Sequence, residues 1–194
     1  MKKTIVPKKK QSFKERNNTR EALAYLIRNP NEELTVTGIA VKTGISKASA
    51  SRAVKELKER GFVSVAAFGT AYRVRANTGN EAFKREKITS NFASVMRSGI
   101  IDRLVEMFHS PKSIVLFGSF RKGDDIPGSD VDIAVEMPEG GKTGIFEPVE
   151  FRDFEKQVQR KVVVHAFSRK EVDINVFENI ANGFVLYGFL EVSK

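Results

Sequence analysis

The chain has 194 residues, 41% apolar and 29% charged, with no cysteine; it can fill one large or two small cores, and disulfides and thiolate metal sites are excluded. No apolar run approaches the roughly 18 residues of a membrane span, and the basic residues 1–10 lack the apolar centre of a signal peptide, so a cytoplasmic protein without membrane contact is expected. The net charge of +9 is uneven: residues 1–80 hold 17 Lys or Arg against 6 Asp or Glu, and residues 81–194 hold 16 against 18, as expected where a polyanion-binding module precedes something else.

Residues 1–17 carry Lys2, Lys3, Lys8, Lys9, Lys10 and Lys14 among few apolar side chains and are expected to form a flexible basic tail. Asn18 or Thr19 is placed to cap a helix that runs to Arg28, with Ala22, Leu23, Leu26 and Ile27 on one face, and Asn29 and Pro30 stop it. A second helix over 36–42 uses Ile39 and Ala40 and ends at Thr43 and Gly44. Ser46 is the expected cap of a third helix to Arg60, whose Ala50, Ala53, Val54 and Leu57 recur at helical spacing before Gly61. Strands over 62–67 and 71–75, joined at Gly69 and Thr70, then form a hairpin.

Helix, glycine-containing turn, helix and hairpin in this order make residues 18–77 resemble the winged helix-turn-helix domain of bacterial and archaeal regulators. The resemblance implies that Ser46, Lys47, Ser49, Ser51 and Arg52 face the major groove of DNA or its phosphates, with Arg73 and Arg75 on the wing. It also implies a homodimer, the common form of such regulators. The plainer alternatives are a solvated basic face and a module that docks a partner protein.

The turn-rich stretch 77–80 marks a domain boundary. Beyond it, 81–109 reads as helical with a break near Ser98 and Gly99; 81–97 is expected to be a connector, and Ile100, Ile101, Leu104, Val105 and Phe108 take core-facing spacing. An apolar strand over 113–117 ends at Gly118, where Gly118 and Ser119 turn the chain, and Arg121, Lys122, Gly123 and a polar turn over 124–128 follow. In the next strand Asp130 and Asp132 alternate with Val131 and Ile133, so both carboxylates project from one side. Two neighbouring carboxylates repel, and a cation between them relieves the repulsion. The remainder reads as a loop (138–144), a helix (147–160), a strand (161–167), a helix (169–181) and a short apolar element (183–187). The fold class is α+β in two domains, the second an α/β sheet domain over 81–194.

An apolar strand, Gly118 and Ser119, a spacer with Gly123, then Ser129, Asp130 and Asp132 before apolar residues resemble the DNA polymerase beta-like nucleotidyltransferase superfamily, above all its minimal nucleotidyltransferase branch. The resemblance implies that Gly118, Ser119, Arg121, Lys122 and Ser129 bind a nucleoside triphosphate. It further implies that Asp130 and Asp132 are catalytic and hold Mg2+ or Mn2+ in a two-metal arrangement for in-line transfer. One departure stands out. Active members carry a third acid on a neighbouring strand, where this chain places Val163 within 160–167; His165 shares its facing, and Glu150, Asp153, Glu171 and Asp173 lie outside that strand. Three readings follow: a DNA-tethered transferase, a catalytically impaired regulator that senses nucleotide, and an antitoxin-type interaction protein.

Overall fold

In the computed structural model, which describes residues 13–69 and 71–192, residues Met1–Asn80 and Glu81–Lys194 fold as separate units. The first consists of α1 (Phe13–Arg28), α2 (Val36–Thr43), α3 (Lys47–Glu59), β1 (Val63–Phe68) and β2 (Ala71–Ala76). Its core is Ala22, Leu23, Leu26, Ile27, Ile39, Ala53, Val54, Leu57 and Val74, each large side chain contributing about 1.5–3 kcal/mol on leaving water. β1 and β2 pair antiparallel, and Leu34 adds a bridge to Val74.

The first helix begins earlier than expected. Residues 13–17, assigned to the tail, are helical; residues 1–12 of that tail, like Thr70 in the hairpin turn, lie outside the described residues. Thr19 is therefore no cap: its hydroxyl bonds back to the Glu15 carbonyl at 3.3 Å and to Glu56 Oε2 of α3 at 2.7 Å. The contact with α3 extends the helix past the point where local sequence favours a start.

The second unit is a five-stranded mixed sheet in the order β5-β6-β4-β3-β7. Its elements are α4 (Glu81–Arg97), α5 (Ile100–Met107), β3 (Ser113–Phe117), α6 (Gly118–Lys122), β4 (Asp130–Glu136), β5 (Gly144–Phe146), α7 (Arg152–Val158), β6 (Lys161–Phe167), α8 (Ile174–Ala181) and β7 (Phe184–Gly188). β4 and β6 run parallel and the other pairs antiparallel. One sheet face, with Ile114, Leu116, Val131, Ile133, Val162 and Val164, packs against Leu104, Phe108, Phe154 and Val158. The other, with Val115, Phe117 and Ala134, meets Ile180 of α8. By strand alternation Asp130 and Asp132 share the face of Ala134.

Several elements differ from expectation. The predicted helix over 147–160 is a 3-10 turn (Val149–Phe151) followed by α7, and α8 starts only at Ile174, where Asp173 caps it. β5 occupies the end of the expected loop. The break at Gly99 is present, with φ +77. The expected connector helix, α4, buries Phe83, Lys87, Asn91 and Val95 at four-residue intervals and is tied to α6 by Asn91 Nδ2, which donates to the Phe120 carbonyl at 2.8 Å.

Candidate functional site

The corner between β3 and α6 sets Gly118 against Asp132 of β4. Gly118 has φ +72, and a Cβ placed there would lie 2.2 Å from Asp132 Oδ2. Only glycine permits both that turn and the approach of the carboxylate. The register seats Phe117 opposite Asp132, so the corner and the acid meet side by side. Ser119 is half-buried in the first turn of α6. The chain then reverses at Gly123, and Ser129 Oγ accepts from the Ile126 amide at 3.0 Å, closing the turn that launches β4. Asp130 and Asp132 are half-exposed, while Val131 and Ile133 are fully buried.

The two cations after the corner behave differently. Arg121 lays its guanidinium over the Phe184 ring at 4.7 Å, and its Nε is buried without a hydrogen-bond partner. Lys122 is exposed.

In the first unit Ser46 caps α3 and accepts from the Ser49 amide at 3.2 Å. Ser46, Lys47, Ser51 and Arg52 are exposed along the helix. Ser49, expected on the outward face, is instead 8% exposed and bonds the Ser46 hydroxyl at 3.0 Å; its position shares the inward stripe of Ala50 and Ala53. Lys55, one turn beyond Ser51, is exposed on the same face. The sequence reading missed it, although the spacing 47, 51, 55 carries the signal. Arg73 sits over the Phe68 ring at 5.7 Å, and Arg75 lies 3.7 Å from Glu33.

Residues 20–70 match the model of the MarR family, and residues 97–185 match that of the nucleotidyltransferase domain. The chain thus carries a winged helix-turn-helix region and a nucleotidyltransferase domain. No curated protein is similar enough to count as a relative. Among solved structures it is similar to the adhesin competence repressor of Streptococcus pyogenes (19% identity over 47% of this chain and 66% of that one, TM-score 0.33). It is similar also to a homodimeric winged helix-turn-helix domain from Mycobacterium bovis (22% identity over 46% and 93%, TM-score 0.30) and a MarR family protein from Bacillus stearothermophilus (18% over 50% and 80%, TM-score 0.32).

Within the nucleotidyltransferase domain, the flank along β6 departs from the family pattern. Register pairs Asp132 with Val163 and Asp130 with Lys161, so an apolar side chain stands beside the central acid. His165 Nε2 lies 3.3 Å from Asp132 Oδ1, and its ring packs edge-on against Phe117 at 5.1 Å. Glu150, Asp153 and Glu171 are exposed on other elements. Asp173 is occupied in capping α8, and the amide of Asn175 holds its carboxyl below the usual range. Among the described residues no cluster of three acidic, histidine or cysteine side chains is arranged for a metal ion.

Beneath the corner, the domain buries an ion cluster that the sequence reading missed. Asp125, in the turn before β4, accepts from Lys87 Nζ at 3.1 Å, Asn91 Nδ2 at 2.8 Å and Arg160 Nη2 at 3.0 Å. Lys87 also donates to the Asp125 carbonyl. The Lys87, Asp125 and Arg160 side chains are 2%, 2% and 1% exposed, and burial pushes the Lys87 amine below its ordinary value. The signal lay in α4: Lys87 and Asn91 fall on the stripe of Phe83 and Val95, where a polar residue must find a buried partner. The cluster holds the turn carrying Ser129 and Asp130 to α4 and to the start of β6.

Proposed function

We propose that this chain is a DNA-bound nucleotidyltransferase that moves a nucleotide from a nucleoside triphosphate to an acceptor hydroxyl. The observation that carries the reading is the contact of Gly118 with Asp132, a backbone corner stripped of its side chain and set against a carboxylate. Gly118 and Ser119 offer amide and hydroxyl donors to phosphate oxygens at close range. Lys122 adds positive charge, and the partnerless Arg121 Nε is a donor that an oxyanion would satisfy. The acceptor oxygen bonds to the α-phosphorus, the bond from that phosphorus to the pyrophosphate oxygen breaks, pyrophosphate leaves with the electron pair, and the hydroxyl proton passes to water.

Asp130 and Asp132 would hold Mg2+ or Mn2+, which when bound offsets phosphate charge and activates the attacking oxygen. Two carboxylates on one strand face suit one such ion, because Mg2+ commonly takes one or two carboxylates and completes its shell with phosphates and water. They do not suit the two-ion arrangement of the family, since Val163 supplies no ligand. The test is magnesium-dependent incorporation of labelled nucleotide by the full chain. It should vanish in the D130A/D132A variant, and unchanged incorporation would remove the site.

The position of Val163 favours a second reading, a regulator that binds nucleotide without turning it over while Lys47, Ser51, Arg52 and the wing hold DNA. That reading expects an operator mobility shift that responds to nucleotide and no incorporation by the unaltered chain.

A further inference from the structure

The hairpin of β1 and β2 carries more than phosphate contacts require. Residues 60–76 hold three arginines and no acid. Register pairs Ser64 with Arg75, Ala66 with Arg73 and Phe68 with Ala71. Directly opposed residues share a face, so the outer face consists of small side chains, two arginines and one phenylalanine. Phe68 is 71% exposed, and the Arg73 guanidinium lies 5.7 Å from its ring centroid. Tyr72, 66% exposed, projects from the other face beyond the buried Val74. A single exposed apolar side chain needs no explanation. Two exposed aromatics at one hairpin tip, interleaved with arginines in a stretch without acids, form a surface complementary to a polyanion that also offers flat apolar area, as stacked bases do.

We infer that Phe68 is a wedge: it enters a base step of duplex DNA from the minor groove and kinks the duplex there, while Arg73 beside its ring takes a neighbouring phosphate. The inference rests on DNA binding by the winged helix and is independent of the transferase reading. Apolar side chains that enter a step in this way unstack it in part and bend the duplex by about 20–90°. Pyrimidine–purine steps open most readily, so Phe68 makes the wing selective for such steps without a hydrogen bond to any base. The surroundings of the ring suit that role. Its neighbours on the outer face, Ala66 along the strand and Ala71 across it, are small, and Gly69 at the turn, with φ +58, has open space where a side chain would stand. DNA can therefore close on the ring from either side. The cation–π contact orients Arg73 next to the ring, within reach of the backbone that a kink brings close.

The test uses the full chain and duplexes recovered by its binding from a random-sequence pool, which should be enriched in TA or CA/TG steps. On a recovered duplex labelled at both ends, energy transfer should report a bend of about 20–90°, and a fluorescent adenine analogue at the step should brighten as it unstacks. The F68A variant should recover a pool without that enrichment, leave the duplex straight and bind it about tenfold more weakly. Its slope of log K against log salt should not change, because no phosphate contact is removed. F68L, which keeps an apolar wedge, should retain the bend. R73Q should do the reverse of F68A, lowering the slope by about 0.9 with the bend in place. Phe68 is exposed, so an unaltered melting temperature in F68A assigns its losses to DNA. Recovered duplexes that stay straight would overturn the inference, as would an F68A variant that bends them like the unaltered chain. An F68A change in the sedimentation of the free chain with bending intact would overturn it as well, making the ring a protein contact. A chain that recovers no duplex removes the wedge together with DNA binding by α3. None of these outcomes depends on nucleotide incorporation, which stands or falls with the D130A/D132A test.

Discussion

The two units use their charged residues in opposite ways. In the winged helix, cations stand in solvent and their ion pairs are loose: Arg52 lies 3.7 Å from Glu15 and Arg75 lies 3.7 Å from Glu33, with all four side chains a third or more exposed. Such pairs contribute little to stability and are released cheaply to a competing phosphate. The nucleotidyltransferase domain, by contrast, also buries charges. Lys87, Asp125 and Arg160 satisfy one another, and Glu136, buried in the sheet, accepts from Ser113 Oγ at 3.0 Å. The lesson is that a surplus of charge on a surface suits binding, whereas a buried cluster of charges sharing one carboxylate marks a loop whose position matters.

The largest test of this contrast removes Asp125. Asp125→Ala removes the carboxylate that two buried cations share and should cost about 3–5 kcal/mol in denaturant unfolding, while Arg52→Ala should shift stability by no more than about 0.5 kcal/mol. Equal effects would erase the distinction. Next in size is Gly118→Ala, where φ +72 and the Asp132 carboxylate leave no room for a methyl; strain of about 1–3 kcal/mol is expected. Nucleotide incorporation should fall with it, since Asp132 has to move. Val163→Asp asks whether the β6 flank limits turnover: a third carboxylate beside Asp132 should raise magnesium-dependent incorporation about tenfold, or about 1.4 kcal/mol, and an unchanged rate would assign the limit elsewhere. For the exposed charges, Lys55→Ala should lower the salt slope of DNA binding by about 0.9 without affecting incorporation into a free acceptor.

The smallest effect concerns Tyr25 in α1. Burial, together with its bond to Glu32 Oε2 at 2.5 Å, pushes the phenol up to about 12 from 10.0. Between those values the folded chain keeps a proton that the unfolded chain has lost, so the contribution to stability is complete below pH 10 and declines as pH rises toward 12. Unfolding measured at pH 9 and pH 11 should show a smaller alkaline loss for Tyr25→Phe than for the unaltered chain.

Much of this was legible because it is local. The alternation of Asp130 and Asp132 with Val131 and Ile133 requires only the strand period, and Ser46 capping α3 requires only a hydroxyl before a helix. Gly118 could be singled out, but its reason, the oxygen of Asp132, lies across a strand pair. Ser49 was misjudged because one position of helical rotation separates an outward serine from an inward one. The start of α1 was misjudged because Thr19 and Glu56 are distant in sequence.

From its amino acids alone the chain determined the order of its two modules, the placement of basic charge in the first, and the shared facing of two acids in the second, since periodicity and composition act within a few residues. Which charges are buried and which strand lies beside Asp132 were decided only by the tertiary structure. Those relations join α4, the turn at Asp125 and β6 across more than 30 residues, a distance over which no local pattern carries information.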